Sequence, residues 1–481
     1  MSTIDQEQVE SIIRRVRVRF GSASSTPHSS TEDEVEVDVG GLGVFSTTAT
    51  AVEAAQIAFE TYRDMGLDRR REVIDGIRVA MRESASSLAS AAHTETGLGR
   101  VDDKVVKNLL VTDKTPGPED LEPQVVTGDR GMTVTEYAPF GLIGAITPTT
   151  NPTATVINNT IAAVSAGNGV VFNAHPNAKG CSACAVRLIN EAIVGAGGPE
   201  NLVATIAQPT IASAQELMRH PKIRLLMVTG GPGVVAEALK TDKRAITAGP
   251  GNPPVVVDET ANIELAAREI VRGASFDNNM VCTDEKEVFV VQSRADKLVQ
   301  NLAVSGGYVL KEYQLRQLER AIFVKLGEPG KPGEIDRRWV GQDASKILAE
   351  IGVSVDTDTR LIVAEVNRDH SLVWTEQMMP VMPVVRVRDI DEAIDLAVRA
   401  EHGFRHTASI FSNDVAAITR MARAMNVSIF IANAANVAGL GAGGEDYTSF
   451  SIATPTGEGM TRPRTFSRIR RLTVVGSLRI V

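Results

Sequence analysis

The stretch Gly141-Leu-Ile-Gly-Ala-Ile146-Thr147-Pro148-Thr149-Thr150-Asn151-Pro152 decides how the chain is built. Its first half is a short, unbroken apolar run, the pattern of a strand covered on both faces. Its second half is a turn that hands over to an apolar helical run reaching Ala166. Proline suits the start of such a helix, because its missing N–H would have no partner there anyway. The same alternation continues outward, with strands at Val170–Phe172, Leu202–Ile206 and Ile223–Val228 and helices at Cys181–Val194 and Ala212–Arg219. Strands alternating with helices predict an α/β fold, a parallel sheet with helices on both faces. Ligands of such sheets sit beyond the carboxyl ends of the strands. The turns Thr147–Pro152, Asn173-Ala-His175-Pro176 and Thr229-Gly230-Gly231-Pro232-Gly233 are therefore the places to look. Small residues there expose amide N–H groups to a phosphate, although glycine and proline also mark ordinary turns.

Downstream, Ala248-Gly249-Pro-Gly-Asn-Pro-Pro254 leads into a strand at Val255–Asp258, and a second α/β stretch runs from Ile263 to about Asn433. Early in it stands Gly273-Ala-Ser-Phe-Asp277-Asn278-Asn279-Met-Val-Cys282, followed by Thr283-Asp-Glu-Lys286 and the strand-like run Glu287–Val291. A thiol on a loop rich in Gly and Asn suits acyl chemistry, since backbone amides there can turn toward whatever the sulfur attacks. The plain alternative is a small buried apolar residue, as free cysteines usually are. A nucleophile just past a nucleotide-binding unit points to a cleft between two domains.

Upstream, Thr48–Met65 and Arg69–Ala92 read as two helices, interrupted near Gly66, while residues 115–137 alternate like an exposed strand or an arm for oligomer contacts. Residues 4–20 read as a short amphipathic helix, joined by a Gly/Ser-rich linker and the acidic run Glu32–Asp38 to the rest. That helix could dock into a partner's groove, lie on a membrane or pack on its own oligomer. Four Arg against three acidic residues make membrane attraction weak, so a partner-docking peptide is preferred.

The 481 residues, 43% of them hydrophobic, suffice for two or three domains, and no unbroken apolar span long enough for a membrane helix occurs. Three cysteines, at 181, 184 and 282, do not make a disulfide framework and fit a reducing compartment. A net charge of −9 without a basic, aromatic-rich face argues against nucleic acid. Cys181-Ser-Ala-Cys184 has redox or metal spacing but no second pair, and Gly403 breaks the helix that His402 and His406 would need to share a metal, so no metal site is expected.

The ordered motifs Thr149-Thr-Asn151-Pro, Thr229-Gly-Gly-Pro-Gly233, Gly249-Pro-Gly-Asn-Pro-Pro254, Gly273 to Cys282 and Glu376-Gln-Met-Met-Pro380 resemble those of the aldehyde dehydrogenase superfamily. The likeness covers residues 41–481 and is nearest to the CoA-acylating propionaldehyde and acetaldehyde dehydrogenases of bacterial microcompartments. It implies an aldehyde dehydrogenase fold: a Rossmann-like NAD-binding domain at 41–118 and 138–254, an α/β catalytic domain at 255–447, and a small β oligomerisation arm from 119–137 and 459–481. It implies Cys282 as the nucleophile and Asn151, with the Cys282 backbone N–H, as the oxyanion hole. Thr147, Pro148, His175, Pro176, Thr229, Gly230, Gly231, Gly233, Ala248, Gly249 and Glu376 would line the cofactor, with Glu376 on the nicotinamide ribose.

Hydrolytic relatives carry a water-activating Glu where Ala248 stands here, so the resemblance implies transfer of the acyl group to coenzyme A rather than to water. Neither Lys nor Arg immediately follows Phe172 to meet a 2′-phosphate, which favours NAD over NADP. The expected reaction is oxidation of propanal, acetaldehyde or lactaldehyde with NAD and coenzyme A. The expected setting is cytoplasmic, inside a bacterial microcompartment, with residues 1–20 on a shell protein and the chain a homodimer or homotetramer. The alternatives are a hydrolytic aldehyde dehydrogenase and a non-catalytic shell-interaction protein.

Overall fold

The computed structural model describes residues 42–481; the helix read at 4–20 and the linker at 21–40 lie outside the described residues. The strand–turn–helix at Leu142–Ile146 and Pro152–Ser165 sits in the middle of a six-stranded sheet. In spatial order its strands are Val44–Phe45, Val203–Ile206, Gly169–Asn173, Leu142–Ile146, Ile223–Thr229 and Arg244–Ala248, and every pairing is parallel. The strands are mostly apolar because both faces are covered, with Arg224 and Arg244 as exposed exceptions. Ile143, Ala145, Val170, Phe172 and Met227 point into one core cluster, and Leu142, Ile146, Val171, Leu226 and Val228 into another.

Strand order reverses between Leu142–Ile146 and Ile223–Thr229, since the chain runs outward from the first, then returns to its other side. The loops leaving these two strands diverge and open a crevice at the carboxyl edge, the place where sheets of this kind take ligands.

A second parallel sheet has seven strands, in the order Gly307–Val309, Leu361–Val366, Val381–Val387, Glu287–Val291, Pro254–Val257, Thr407–Phe411 and Ile429–Ala432. Its residues also divide by parity, Val255, Val257, Val288 and Val290 toward one core and Val256, Phe289 and Val291 toward the other. After this sheet the chain returns to the first unit, where Phe450, Ile452 and Ala453 join its core and Ser451 Oγ lies 2.9 Å from Thr229 Oγ1.

Gln124–Gly128, Gly131–Pro139 and Ser467–Val475 form an antiparallel three-stranded sheet with Val126, Ile469 and Leu472 exposed. Asn168 ties it to the body. Its Oδ1 accepts from the N–H groups of Phe140 and Gly141 at 2.7 and 3.1 Å, and its Nδ2 donates to the carbonyls of Ala163 and Phe466. Among the described residues no helix is long and apolar enough to cross a membrane.

Two helices differ from the sequence reading. The second runs from Leu67 to Thr96, and a further helix, Val101–Lys114, was not foreseen. Its sequence is charged, yet Lys104, Lys107 and Asn108 are buried.

Candidate active site

The crevice is completed by a loop from the second unit. Helix Ile263–Ala274 ends and the chain enters Asp277-Asn278-Asn279, three successive residues in the left-handed region with φ of 44°, 56° and 65°. Asp and Asn tolerate this conformation better than other side chains with a Cβ, because their short polar groups bond locally. Asn278 Nδ2 donates to the Gly341 carbonyl and to Asp343, both at 2.9 Å. Asn279 Nδ2 donates to the carbonyls of Ala274 and Glu285, also at 2.9 Å. Lys286, fully buried, donates from Nζ to the Asn279 carbonyl at 3.1 Å and to its Oδ1. The Val281 N–H donates to Asp284 at 2.9 Å. The loop thus delivers Cys282 on a backbone fixed from several sides.

Cys282 is half-buried and lines one cleft with Pro148, Thr150, Asn151, Thr229, Gly230 and Gly231. Ala248, Gly249 and Glu376 complete the wall, with Met280, Met378, Phe450 and Ile452 as its apolar part. Asn151 is the cap residue of the helix Pro152–Ser165, but its side chain does not cap that helix and remains available to the cleft. Its Oδ1 accepts from Lys107 Nζ at 2.6 Å, and its Nδ2 donates to Thr150 Oγ1 at 3.2 Å.

Of the residues singled out from sequence, the structure brings Cys282, Asn151, Pro148, Thr229, Gly230, Gly231, Ala248, Gly249 and Glu376 to this cleft. Four stand elsewhere. Thr147 is buried beneath the turn, with its hydroxyl unpartnered. His175 and Pro176 are exposed one strand away, past Gly169–Asn173, where His175 Nδ1 accepts from the Asn177 N–H at 3.2 Å. Gly233 lies in the first turn of the helix Pro232–Leu239, and its own surroundings are open.

The groups needed for a dinucleotide fit. The helix Pro232–Leu239 starts without a side-chain cap, and a Cβ at Gly231 or Gly233 would meet nothing within 4 Å. Free N–H groups at a helix start, approachable without side-chain obstruction, suit a pyrophosphate. Glu376 accepts from the Gly251 N–H at 3.4 Å and is the one carboxylate in the cleft wall.

Burial, with Glu376 and Asp284 nearby, pushes the Cys282 thiol up to about 12, against a weaker opposing pull from Lys286. The thiol is therefore neutral without substrate. Behind it, burial also raises Asp284 and Glu287 well above the carboxylate range and Glu285 to about 8.

His406, weighed in the sequence only as a metal ligand and set aside, is the residue whose place in the site the sequence did not show. Its ring is fully buried, Nδ1 lies 2.9 Å from Thr407 Oγ1, and Nε2 has no partner. Burial and Lys286 lower it to about 4, so it is a neutral imidazole at pH 7. Gly251 separates it from the nucleophile's backbone: a Cβ there would stand 2.7 Å from the Cys282 carbonyl oxygen and 3.0 Å from the His406 ring. Only its place 124 residues after Cys282 hid this proximity.

Comparison with known proteins bears on the same residues. The description "Aldehyde dehydrogenase family" matches residues 45–305 and 359–451. The chain is 47% identical over 479 residues to the acetaldehyde dehydrogenase (acetylating) EutE of Escherichia coli (strain K12), covering 99% of this chain and 100% of that one. Among solved structures, a Rhodopseudomonas palustris propionaldehyde dehydrogenase with bound CoA and an acylated cysteine matches with a TM-score of 0.87 and 47% identity, over 90% of this chain and 98% of that one. A propionaldehyde dehydrogenase from the Clostridium phytofermentans fucose utilisation bacterial microcompartment gives 0.88 and 43%, over 92% and 100%.

Two measurements test the electrostatics. With the thiol near 12, alkylation of Cys282 by iodoacetamide should rise about tenfold per pH unit from 7 to 10; a plateau below pH 9 would contradict it. For His406, the stability contributed by keeping the ring neutral is full above the ordinary value of 6.5 and is lost as pH falls toward about 4. The wild type should therefore lose more stability than His406→Gln between pH 6.5 and 4.5 in urea unfolding.

Proposed function

The chain belongs to the aldehyde dehydrogenase family, and from that premise we propose that it is a CoA-acylating enzyme oxidising a short aldehyde to the acyl-CoA. NAD supplies the hydride acceptor when bound, and coenzyme A is the second substrate. Cys282 adds to the aldehyde carbon, and its thiol proton passes to water in the cleft as the C–S bond forms. The negative charge that develops on the carbonyl oxygen is met by Asn151 Nδ2 and the Cys282 N–H, donors worth about 3 kcal/mol each where charge appears only in the transition state. Loss of hydride leaves a thioester on Cys282. The CoA thiolate then attacks that thioester, the same donors stabilise the second oxyanion, and Cys282 departs as a thiolate that takes up the proton lost by coenzyme A.

One observation carries the choice of transfer over hydrolysis: the wall position at the end of Arg244–Ala248 is Ala248, which has no group to activate water. A CoA thiol ionises far more readily than water, so it needs less help. His406, neutral with a free Nε2 beside the nucleophile's backbone, is the base we assign to the incoming thiol. Glu376 and the Thr229–Gly231 turn hold the dinucleotide, which makes the first unit the cofactor domain and the second the nucleophile domain. His175, Pro176 and Gly233 stay in the proposal as outer contacts of the same ligand, at the carboxyl edge of the same sheet, whereas Thr147, buried beneath the turn, can only support that loop.

The compartment reading rests on the microcompartment origin of a relative and on the amphipathic pattern of residues 4–20. We assign residues 1–20 to a shell protein and the exposed Val126, Ile469 and Leu472 of the three-stranded sheet to a subunit contact in a homodimer or homotetramer.

NADH release from propanal and NAD should require coenzyme A in the steady state, stopping after one equivalent per site without it. Undiminished turnover without coenzyme A would establish the hydrolytic reading instead. Cys282→Ser should abolish even the single equivalent, whereas His406→Gln should keep it and slow only the CoA-dependent phase. Deleting residues 1–20 should leave activity intact and abolish co-purification with shells; an unfolded product would point to oligomer packing by that segment.

A further inference from the structure

We propose that Lys107 is a positioning residue: it fixes which way the Asn151 amide faces, and Asp277 holds it in place from the nucleophile loop. The inference rests on reading Asn151 as the oxyanion donor.

Lys104 and Lys107 lie one turn apart on the helix Val101–Lys114, each 2% exposed, and both Nζ groups reach the same Oδ2 of Asp277, which is fully buried. One carboxylate needs one ammonium for neutrality. Lys104, at 2.9 Å, already provides it, and the other oxygen of Asp277 accepts from the Arg100 N–H at 2.6 Å. A second buried cation at this spot costs desolvation and is repelled by the first. Lys107 is set apart by its other partner, Asn151 Oδ1, at 2.6 Å.

An ammonium has donors only, so the amide must turn its oxygen toward Lys107. Its NH2 group then faces the opposite way, with one hydrogen on Thr150 Oγ1 and the second free on the side of a residue that lines the cleft with Cys282. Thr150 cannot set this orientation by itself, because a hydroxyl donates and accepts equally well. Without Lys107 nothing would hold the oxygen back, and the amide could turn it toward the developing oxyanion. Lys107 also polarises the amide, strengthening the N–H bond it offers.

The test is a cycle on the rate of the first NADH equivalent from propanal, with Asn151→Ala, Lys107→Met and the double variant. Lys107→Met should slow this phase by roughly 10- to 100-fold with little change in KM, and by less than about twofold when Asn151 is already Ala. Iodoacetamide alkylation of Cys282, which builds no oxyanion, should stay within about twofold. A Lys107→Met effect that persists undiminished beside Asn151→Ala, or no effect at all in the wild-type background, overturns the proposal. An unchanged burst in Asn151→Ala alone overturns the oxyanion reading beneath it and is recognised separately. Should Lys107→Met fail to fold, Lys107→Gln, which keeps a donor, serves in the same cycle; its smaller loss must likewise vanish beside Asn151→Ala.

Discussion

The buried carboxylate of Asp277 is the point on which the site depends. It accepts from Lys104, Lys107 and the Arg100 N–H, while its own N–H donates to Asp103 at 3.0 Å. It also starts the left-handed run that carries the chain to Cys282. Left-handed backbone costs about 1 kcal/mol or more per residue with a Cβ, and three such residues in a row would not persist on backbone preference alone. Their side chains offset the cost, each amide or carboxylate bonding two or more groups outside the run. Alanine at these positions could adopt the shape only by losing every one of those bonds.

The loop so held lies in a poorly solvated setting, and this shapes its chemistry. Burial keeps the Cys282 thiol neutral and raises Asp284, Glu285 and Glu287, so less negative charge stands near the carbon to be attacked. In the same setting, two well-aimed hydrogen-bond donors are worth far more than in water. Lys286 serves this arrangement by bonding to the loop backbone.

What was legible in the sequence followed physical period and local chemistry. Leu142–Ile146 and Gly169–Asn173 are nearly continuous apolar runs, as is 225–228 after the exposed Arg224, because both faces are covered, and turn residues separate them from helices. Aldehyde dehydrogenase membership was legible from ordered motifs that gather in one cleft. The helix Val101–Lys114 was not, since Asp102, Asp103, Lys104 and Lys107 look like a solvated face until Asp277, 170 residues after Lys107, is placed against it. Side-chain direction was equally hidden. Nothing local distinguishes Thr147, turned inward, from Thr150, turned to the cleft.

The cleft has no wall that belongs to one element alone. Asn151, Thr229 and Ala248 come from the first sheet, Cys282 and Glu376 from the second unit, and Phe450 and Ile452 from the returning segment. Donor and nucleophile are thus fixed to different sheets, and an oxyanion hole tolerates little misplacement between them. Packing alone would let small sliding of one unit change that distance. An ionic bond from the helix beside Asn151 to the loop that carries Cys282 opposes such sliding directly, because Lys107 touches both Asn151 and Asp277. The buried charge, costly for stability, is what holds the oxyanion donor to the nucleophile.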